Sequence, residues 1–295
     1  MQNTMPVSFE EATGNIPYNM TNDYMFRYIL QKNEKVLRGL ICSLLHLKPH
    51  QIQTVEITNP INLNENIQDK EFILDINILM NDSTQINLEM QLIDYHNWTD
   101  RSLAYLCRSF DHLYHGQKYE EALPAIHIGF LDYTLFPDFP EFYATNMLMN
   151  VKNHHIYSDK FQLSVIDLSQ IELATEEDKA YQIDYWVRLF KAKTWEEIKM
   201  VAKKSEFLQE AAHSIYMANA DEIVRQKCLA REEAERHERT VERDMKRMKE
   251  QIDSLTAYIA SLKDDNASLK DDNASLKDDI AHLKAHIAEL ESQRN

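Results

Sequence analysis

From residue 251 onward the chain repeats with a period of seven. Leu255, Leu262, Leu269, Leu276, Leu283 and Leu290 hold one position of the repeat, and Ile252, Ile259, Asn266, Asn273, Ile280 and Ile287 hold the position three residues earlier. A repeat of this period keeps both series on one side of an α-helix, so the segment is built to bury a stripe against another helix. Leu at d with Ile and Asn at a predicts a parallel coiled-coil homodimer, in which the Asn pair fixes the register at some loss of stability. The charges agree: Asp265, Asp272 and Asp279 at g would face Lys270, Lys277 and Lys284 at e of a second copy. A solvated single helix is the alternative, against which a Leu-rich array of this length argues. The heptad beginning at Ser261 recurs almost unchanged from Ser268, and in altered form from Ser275 and His282.

The rest of the chain has a different character. Of 295 residues, 44% are hydrophobic, enough for a substantial core, and only four are glycine. No apolar run approaches membrane-spanning length, and the first residues lack a basic stretch followed by an apolar core, so secretion and membrane insertion are not expected. Cys42, Cys107 and Cys228 are scattered without metal spacing, which predicts reduced thiols and a cytoplasmic location. The net charge of −16 opposes unaided binding to a long nucleic-acid backbone. Its distribution is uneven. Residues 1–174 carry 11 Lys and Arg against 22 Asp and Glu, whereas residues 186–250 carry 15 against 13. A phosphate-tracking surface must therefore be local, and the helical segment is the better candidate.

Two alternating runs stand out in the first half. Glu71 to Met80 places Phe72, Leu74, Ile76, Ile78 and Met80 on one face of a strand, with Asp75 and Asn77 on the other. Gln85 to Ile93 places Ile86, Leu88, Met90 and Leu92 on one face, with Asn87, Glu89 and Gln91 opposite. The stretch Asn81-Asp82-Ser83-Thr84 favours a turn. Polar faces coincide only if Asp75 lies across from Glu89, a register that a three-residue loop or a bulge near Asn81 supplies. Two carboxylates opposed in that way lie close enough to converge on one divalent cation, which would relieve their repulsion. The competing interpretation is a half-exposed sheet face with ordinary polar residues.

Around the hairpin the patterns alternate between helix and strand. Thr21 or Asn22 caps a predicted helix running to about Gln31, and Asn33-Glu34 opens another over Lys35 to Leu47. Trp98 to Glu121 predicts a helix with Arg101 and Tyr105 on one face. Ala125 to Leu131 and Phe161 to Leu168 predict strands. From about Thr175 the chain is helical and amphipathic, with Thr194 and Glu197 as a capping box, and between Ala220 and Glu250 it becomes a charged helix leaving the domain. His112 with His115, and His154 with His155, lack the further ligands of a structural zinc site.

The ordered series Asn22-Asp23-Tyr24-Met25-Phe26-Arg27, Asp75, Glu89-Met90-Gln91, Arg101, Tyr105, Gly116, Tyr119 and Pro124 resembles the PD-(D/E)XK nuclease family transposases, also called the Rpn family of recombination-promoting nucleases. The resemblance covers roughly residues 15–235. It implies an α/β fold with a PD-(D/E)XK restriction-endonuclease-like core over 1–174, a helical subdomain over 175–235, and the charged helix and parallel coiled coil over 236–295. It assigns Asp75 and Glu89 as ligands of Mg²⁺ or Mn²⁺. Gln91 stands where the superfamily carries Lys; it can orient a water by hydrogen bonds but cannot change charge. Asp23, Arg101, Tyr105 and Gln117 are expected beside the metal or at the phosphate. Each also has a plain structural alternative: a helix-end charge for Asp23, an Arg stem over a ring for Arg101 and Tyr105, and a solvated helix residue for Gln117.

The activity implied is a metal-dependent DNA endonuclease, linked to recombination or transposition, that hydrolyses phosphodiester bonds as a homodimer. Two alternatives stay open. One is a nuclease-fold scaffold or binding protein with a silent site, assembled by its coiled coil. The other is a nuclease acting on RNA.

Overall fold

Helix starts in this chain follow from short polar side chains that can accept a backbone proton. Asn22 accepts from the Met25 amide and opens α1 (Asp23–Lys32). Asn33 gives its own N–H to the Ile29 carbonyl, which ends α1, and accepts from Lys35 and Val36 to open α2 (Glu34–Leu44). The α2 helix stops short of Leu47, because His46 adopts a left-handed conformation at φ 54° and the Leu47 amide turns back to the Cys42 carbonyl.

The computed structural model describes residues 8–60, 75–111 and 117–293, with side chains described to residue 287. It divides into two compact units, Met1–Arg236 and His237–Asn295. In the first unit the strands are β1 (Val55–Ile57), β2 (Ile76–Met80), β3 (Thr84–Gln91), β4 (Ala125–Leu131), β5 (Tyr143–Met149) and β6 (Ile156–Asp167). Among the described residues they form one mixed sheet in the order β1-β2-β3-β4-β6-β5, with β3, β4 and β6 parallel. Helix α3 (Trp98–Phe110) connects β3 to its parallel neighbour β4, the connection that parallel strands require. After the sheet come α4 (Glu176–Ala180), α5 (Ile183–Lys191), α6 (Trp195–Ala202), α7 (Glu206–Ala220) and α8 (Glu222–Gln293). No helix among the described residues is long and apolar enough to cross a membrane.

The β2–β3 hairpin has a three-residue loop, one of the two devices that the sequence pattern allowed. Met80 pairs with Thr84 and Ile76 with Leu88, leaving Asn81, Asp82 and Ser83 in the turn. Asn81 and Asp82 both sit at φ 51°, a conformation their short polar side chains tolerate, and Asn81 Oδ1 accepts from the Gln53 and Thr54 amides. The beginning of the first run, residues 71–74, lies outside the described residues.

Elsewhere the elements differ from expectation. The helix expected over Trp98 to Glu121 ends at Phe110, where Asp111 leaves helical geometry, and Tyr119–Glu121 forms a short 3-10 turn. His112, His115 and Gly116 lie outside the described residues. Strands β1 and β5, which the patterns did not predict, are the two edges of the sheet. Edge strands bury little, so β5 (Tyr-Ala-Thr-Asn-Met-Leu-Met) shows none of the alternation that marks a half-buried strand.

One sheet face is apolar. Ile76, Ile78, Ile86, Leu88, Ile128 and Phe130 pack against α1, α2 and α5, and Phe26, Phe130 and Phe190 meet edge to face at 5.4 to 5.7 Å. Buried residues of α5, α6 and α7, including Trp186, Ile198 and Ile215, belong to this same continuous core. In the second unit Ile252, Leu255, Ile259, Leu262, Leu269, Leu276, Ile280, Leu283 and Ile287 are all exposed. Asn266 and Asn273 donate to the Leu262 and Leu269 carbonyls of their own helix.

The opposite face of the sheet is covered by α3, and one glycine lets the helix come down. A Cβ built on Gly129 would stand 2.0 Å from the buried Trp98 ring. Gly129→Ala should therefore destabilise the protein by about 1–3 kcal/mol through overpacking. A thermal melt reports this as a fall in Tm of several degrees, and an unchanged Tm would contradict the packing described.

Candidate active site

Alternation along β3 sends Asn87, Glu89 and Gln91 to the face away from the apolar core, and α3 then closes over them. They are 1%, 5% and 7% exposed, so this is a buried polar layer and not the half-solvated face that the pattern also permitted. The neighbouring strands complete the layer. Asn87 pairs with Asn77 on β2 and with His127 on β4, and Glu89 pairs with Gly129. One further step in the β2–β3 register places Asp75 across from Glu89.

Asp75 is anchored through both its backbone and its carboxylate. The Asn87 amide donates to Asp75 Oδ2 at 3.1 Å and to Asn77 Oδ1 at 2.5 Å. The fully buried Arg27 of α1 donates to the carbonyls of Asp75 and Asn59, and Asn59 Nδ2 donates to the Asp75 carbonyl at 3.0 Å. Burial pulls the Arg27 pKa down to about 10, opposed by the nearby Asp75, so the guanidinium stays charged at neutral pH.

The two oxygens of Glu89 have different surroundings. Oε1 accepts from Arg101 Nε at 2.8 Å and Nη2 at 2.7 Å, a forked charge-assisted contact. Oε2 is buried without a hydrogen-bond partner, and His127 Nε2 is 3.8 Å away. Burial raises the Glu89 pKa, Arg101 opposes that rise, and Asp75 adds to it.

Around the carboxylates, Gln91 Nε2 donates to the Ile93 carbonyl at 3.0 Å and to the Tyr133 hydroxyl at 2.9 Å. Both amide protons are thereby engaged, and the Oε1 acceptor is what Gln91 has left for a water. The Arg101 guanidinium lies 5.3 Å over the Tyr105 ring, and Tyr105 in turn stacks on His127 at 6.0 Å. Arg101, Tyr105 and Glu89 thus stand together. Asp23 is buried in the first turn of α1, where both its oxygens accept from Arg231 of α8 at 2.9 and 2.7 Å. Gln117 is exposed in the loop before the Tyr119–Glu121 turn.

His127 was not singled out by the sequence reading, which treated it as an ordinary member of a buried strand. The signal was its phase: in Ala-Ile-His-Ile-Gly-Phe-Leu the large residues Ile126, Ile128 and Phe130 occupy one face of β4, and His127 and Gly129 lie on the other with Ala125 and Leu131. It is fully buried, and neither ring nitrogen has a hydrogen-bond partner.

The residues present fit a hard divalent cation. Asp75 and Glu89 supply carboxylates, and the unpartnered buried acceptors Glu89 Oε2 and Asn87 Oδ1 are the atoms a cation would satisfy. Among the described residues no three His, Cys, Asp or Glu side chains are grouped so as to hold a metal ion. An ion bound by two carboxylates would keep most of its own waters.

Burial, reinforced by Arg101, lowers the His127 pKa from 6.5 to about 4. The unfolded chain then binds more protons than the folded one between these values, so this group's contribution to stability is complete above pH 6.5 and is lost as pH falls toward 4. Measured as unfolding free energy against pH, wild-type should lose about 2–3 kcal/mol more than His127→Gln across that window. Parallel curves would contradict a neutral buried imidazole.

A family model described as PD-(D/E)XK nuclease family transposase matches residues 20–244, a span that includes α1, the β2–β3 hairpin, α3 and the helices after the sheet. No curated protein and no solved structure gave a significant match to the chain. With the mixed sheet, the paired acidic residues of its hairpin and a match over most of its length, this chain belongs to the PD-(D/E)XK nuclease family transposases.

Proposed function

We propose that the protein is a Mg²⁺- or Mn²⁺-dependent DNA endonuclease that hydrolyses phosphodiester bonds in recombination or transposition. The observation that carries this reading is the Asp75 and Glu89 pair, aligned across β2 and β3 beneath α3, with one Glu89 oxygen held by Arg101 and the other left open. Asp75 and Glu89 hold the cation. When bound, such a cation polarises the scissile phosphate and lowers the pKa of water.

The remaining steps belong to the chain's own side chains. Arg101 is partly exposed, so its guanidinium can extend from Glu89 to a phosphate oxygen with the same forked geometry. Tyr105 braces that guanidinium from below. Gln91, fixed by Ile93 and Tyr133, presents its carbonyl oxygen to the attacking water and holds one of its protons. Asp23 takes no direct part, since Arg231 occupies it, and it ties α1 to α8.

The acidic core supplies little long-range attraction for DNA, so the phosphate-tracking role falls to the more basic segment over 186–250. The exposed heptad stripe joins two copies in parallel register, with g-position Asp facing e-position Lys, and brings two sites into one particle. Three free cysteines and no membrane-spanning helix among the described residues suit a cytoplasmic protein.

Three measurements test this reading. Nicking of supercoiled plasmid with Mg²⁺ or Mn²⁺ should fall on the order of 100-fold or more in Asp75→Ala and in Glu89→Ala. Wild-type protein that leaves DNA intact would instead favour the scaffold reading, to which the presence of Gln91, which cannot change charge, already lends weight. Substrate preference is settled by digesting DNA and RNA side by side. In sedimentation, the full chain should run as a dimer at micromolar concentration, and the Leu269→Lys, Leu276→Lys double variant as a monomer. A monomeric wild-type would remove the coiled-coil assignment.

A further inference from the structure

Arg101 shares the ring of Tyr105 with a second guanidinium. Arg108, two turns further along α3, lies 5.8 Å over the same ring, against 5.3 Å for Arg101. Residues 101, 105 and 108 are four and three apart, so they form one stripe of the helix, and that stripe begins at the Glu89 carboxylate. Tyr105 is itself held by stacking on His127 at 6.0 Å. One fixed ring therefore gathers two positive charges beside the candidate site.

What sets Arg108 apart is that no carboxylate answers it. Residues 1–174 contain four arginines. Arg27 donates to the Asp75 and Asn59 carbonyls, Arg38 to Glu34 and the Ile52 carbonyl, and Arg101 to Glu89. Arg108 is exposed, and among the described residues it makes no hydrogen bond and no ion pair. The same segment carries twice as many acidic as basic residues, so an uncommitted arginine next to its acidic site runs against the prevailing charge. Contact with the ring restrains the guanidinium while leaving its five N–H donors open. A restrained fork of donors suits an oxyanion, and it loses less freedom on binding than a mobile side chain would.

We propose that Arg108 binds a backbone phosphate of the DNA, on the strand whose scissile phosphate Arg101 contacts. Seven residues of helix rise about 10 Å and one strand rises about 3.4 Å per nucleotide, which puts the two phosphates about one to three nucleotides apart. Such a contact carries no sequence information; it sets the position of the strand over Asp75 and Glu89. The inference rests on the nuclease reading given above, and adds to it a binding residue inside the acidic part of the chain.

Binding of a fluorescently labelled DNA duplex to the full-length protein, followed by anisotropy over a range of salt with EDTA present to prevent cleavage, puts this to the test. Arg108→Gln should reduce the slope of log Kd against log salt by about 0.9 per protomer, and weaken binding about two- to fivefold near 0.1 M salt. Arg108→Lys keeps the charge and should keep the slope. Lys48→Gln makes the same change of charge at an exposed position after α2, which packs on the other face of the sheet, and should leave the slope unaltered. An unchanged slope in Arg108→Gln, an equal fall in Lys48→Gln, or a wild-type protein that does not bind the duplex overturns the role of Arg108. If the slope falls as expected but wild-type protein leaves plasmid intact with Mg²⁺ or Mn²⁺, the phosphate contact stands and the nuclease reading is overturned.

Discussion

The carboxylate of Glu89 is buried under a helix, and the surrounding structure is arranged to make that tolerable. A charged carboxylate removed from water needs compensation, and Arg101 supplies it from directly above, on α3. That contact requires α3 to lie close to β3 and β4, which Gly129 permits by offering no Cβ to Trp98. Helix placement, glycine position and ion pair are therefore one constraint. The same enclosure raises the affinity of Glu89 for a proton and leaves its second oxygen without a hydrogen-bond partner.

Asp75 is fixed by different means. Its carbonyl is gripped by Arg27 and Asn59, and its carboxylate by Asn87, so its position depends on α1 and on the chain that precedes the hairpin. One turn earlier on α1, Asp23 is paired with Arg231 of α8. The Asn-Asp-Tyr-Met-Phe-Arg motif thus alternates in role along one helix: Asn22 caps it, Asp23 ties it to α8, Phe26 enters the core, and Arg27 holds the strand that bears the acidic residue. A short motif near the start of the chain thus positions the strand that carries Asp75.

Much of this organisation was legible from local pattern. The polar faces of the hairpin, its three-residue loop, the Asn22 and Asn33 caps and the Thr194 capping box depend only on residues close in sequence, and they stand as the patterns indicated. The misses have a common cause. Strands β1 and β5 are edges that bury too little to show a half-buried alternation, and the end of α3 at Phe110 breaks a pattern that still looked helical through Glu121. His127 escaped because a single histidine in an apolar strand carries no local mark of what lies across from it.

By itself the sequence determined periodicity: a heptad stripe of Leu, Ile and Asn along the last helix, two runs whose acidic residues share one face, and an ordered set of motifs sufficient to indicate the family. These follow from spacing along the chain, because side-chain direction repeats every two residues in a strand and every 3.5 to 3.6 in a helix. Tertiary structure decided whether the acidic face meets water or protein, which oxygen of Glu89 is free, and that His127 shares the layer. Such facts depend on which distant segment packs on top, and α3 and β4 reach Glu89 only when the parallel crossover closes.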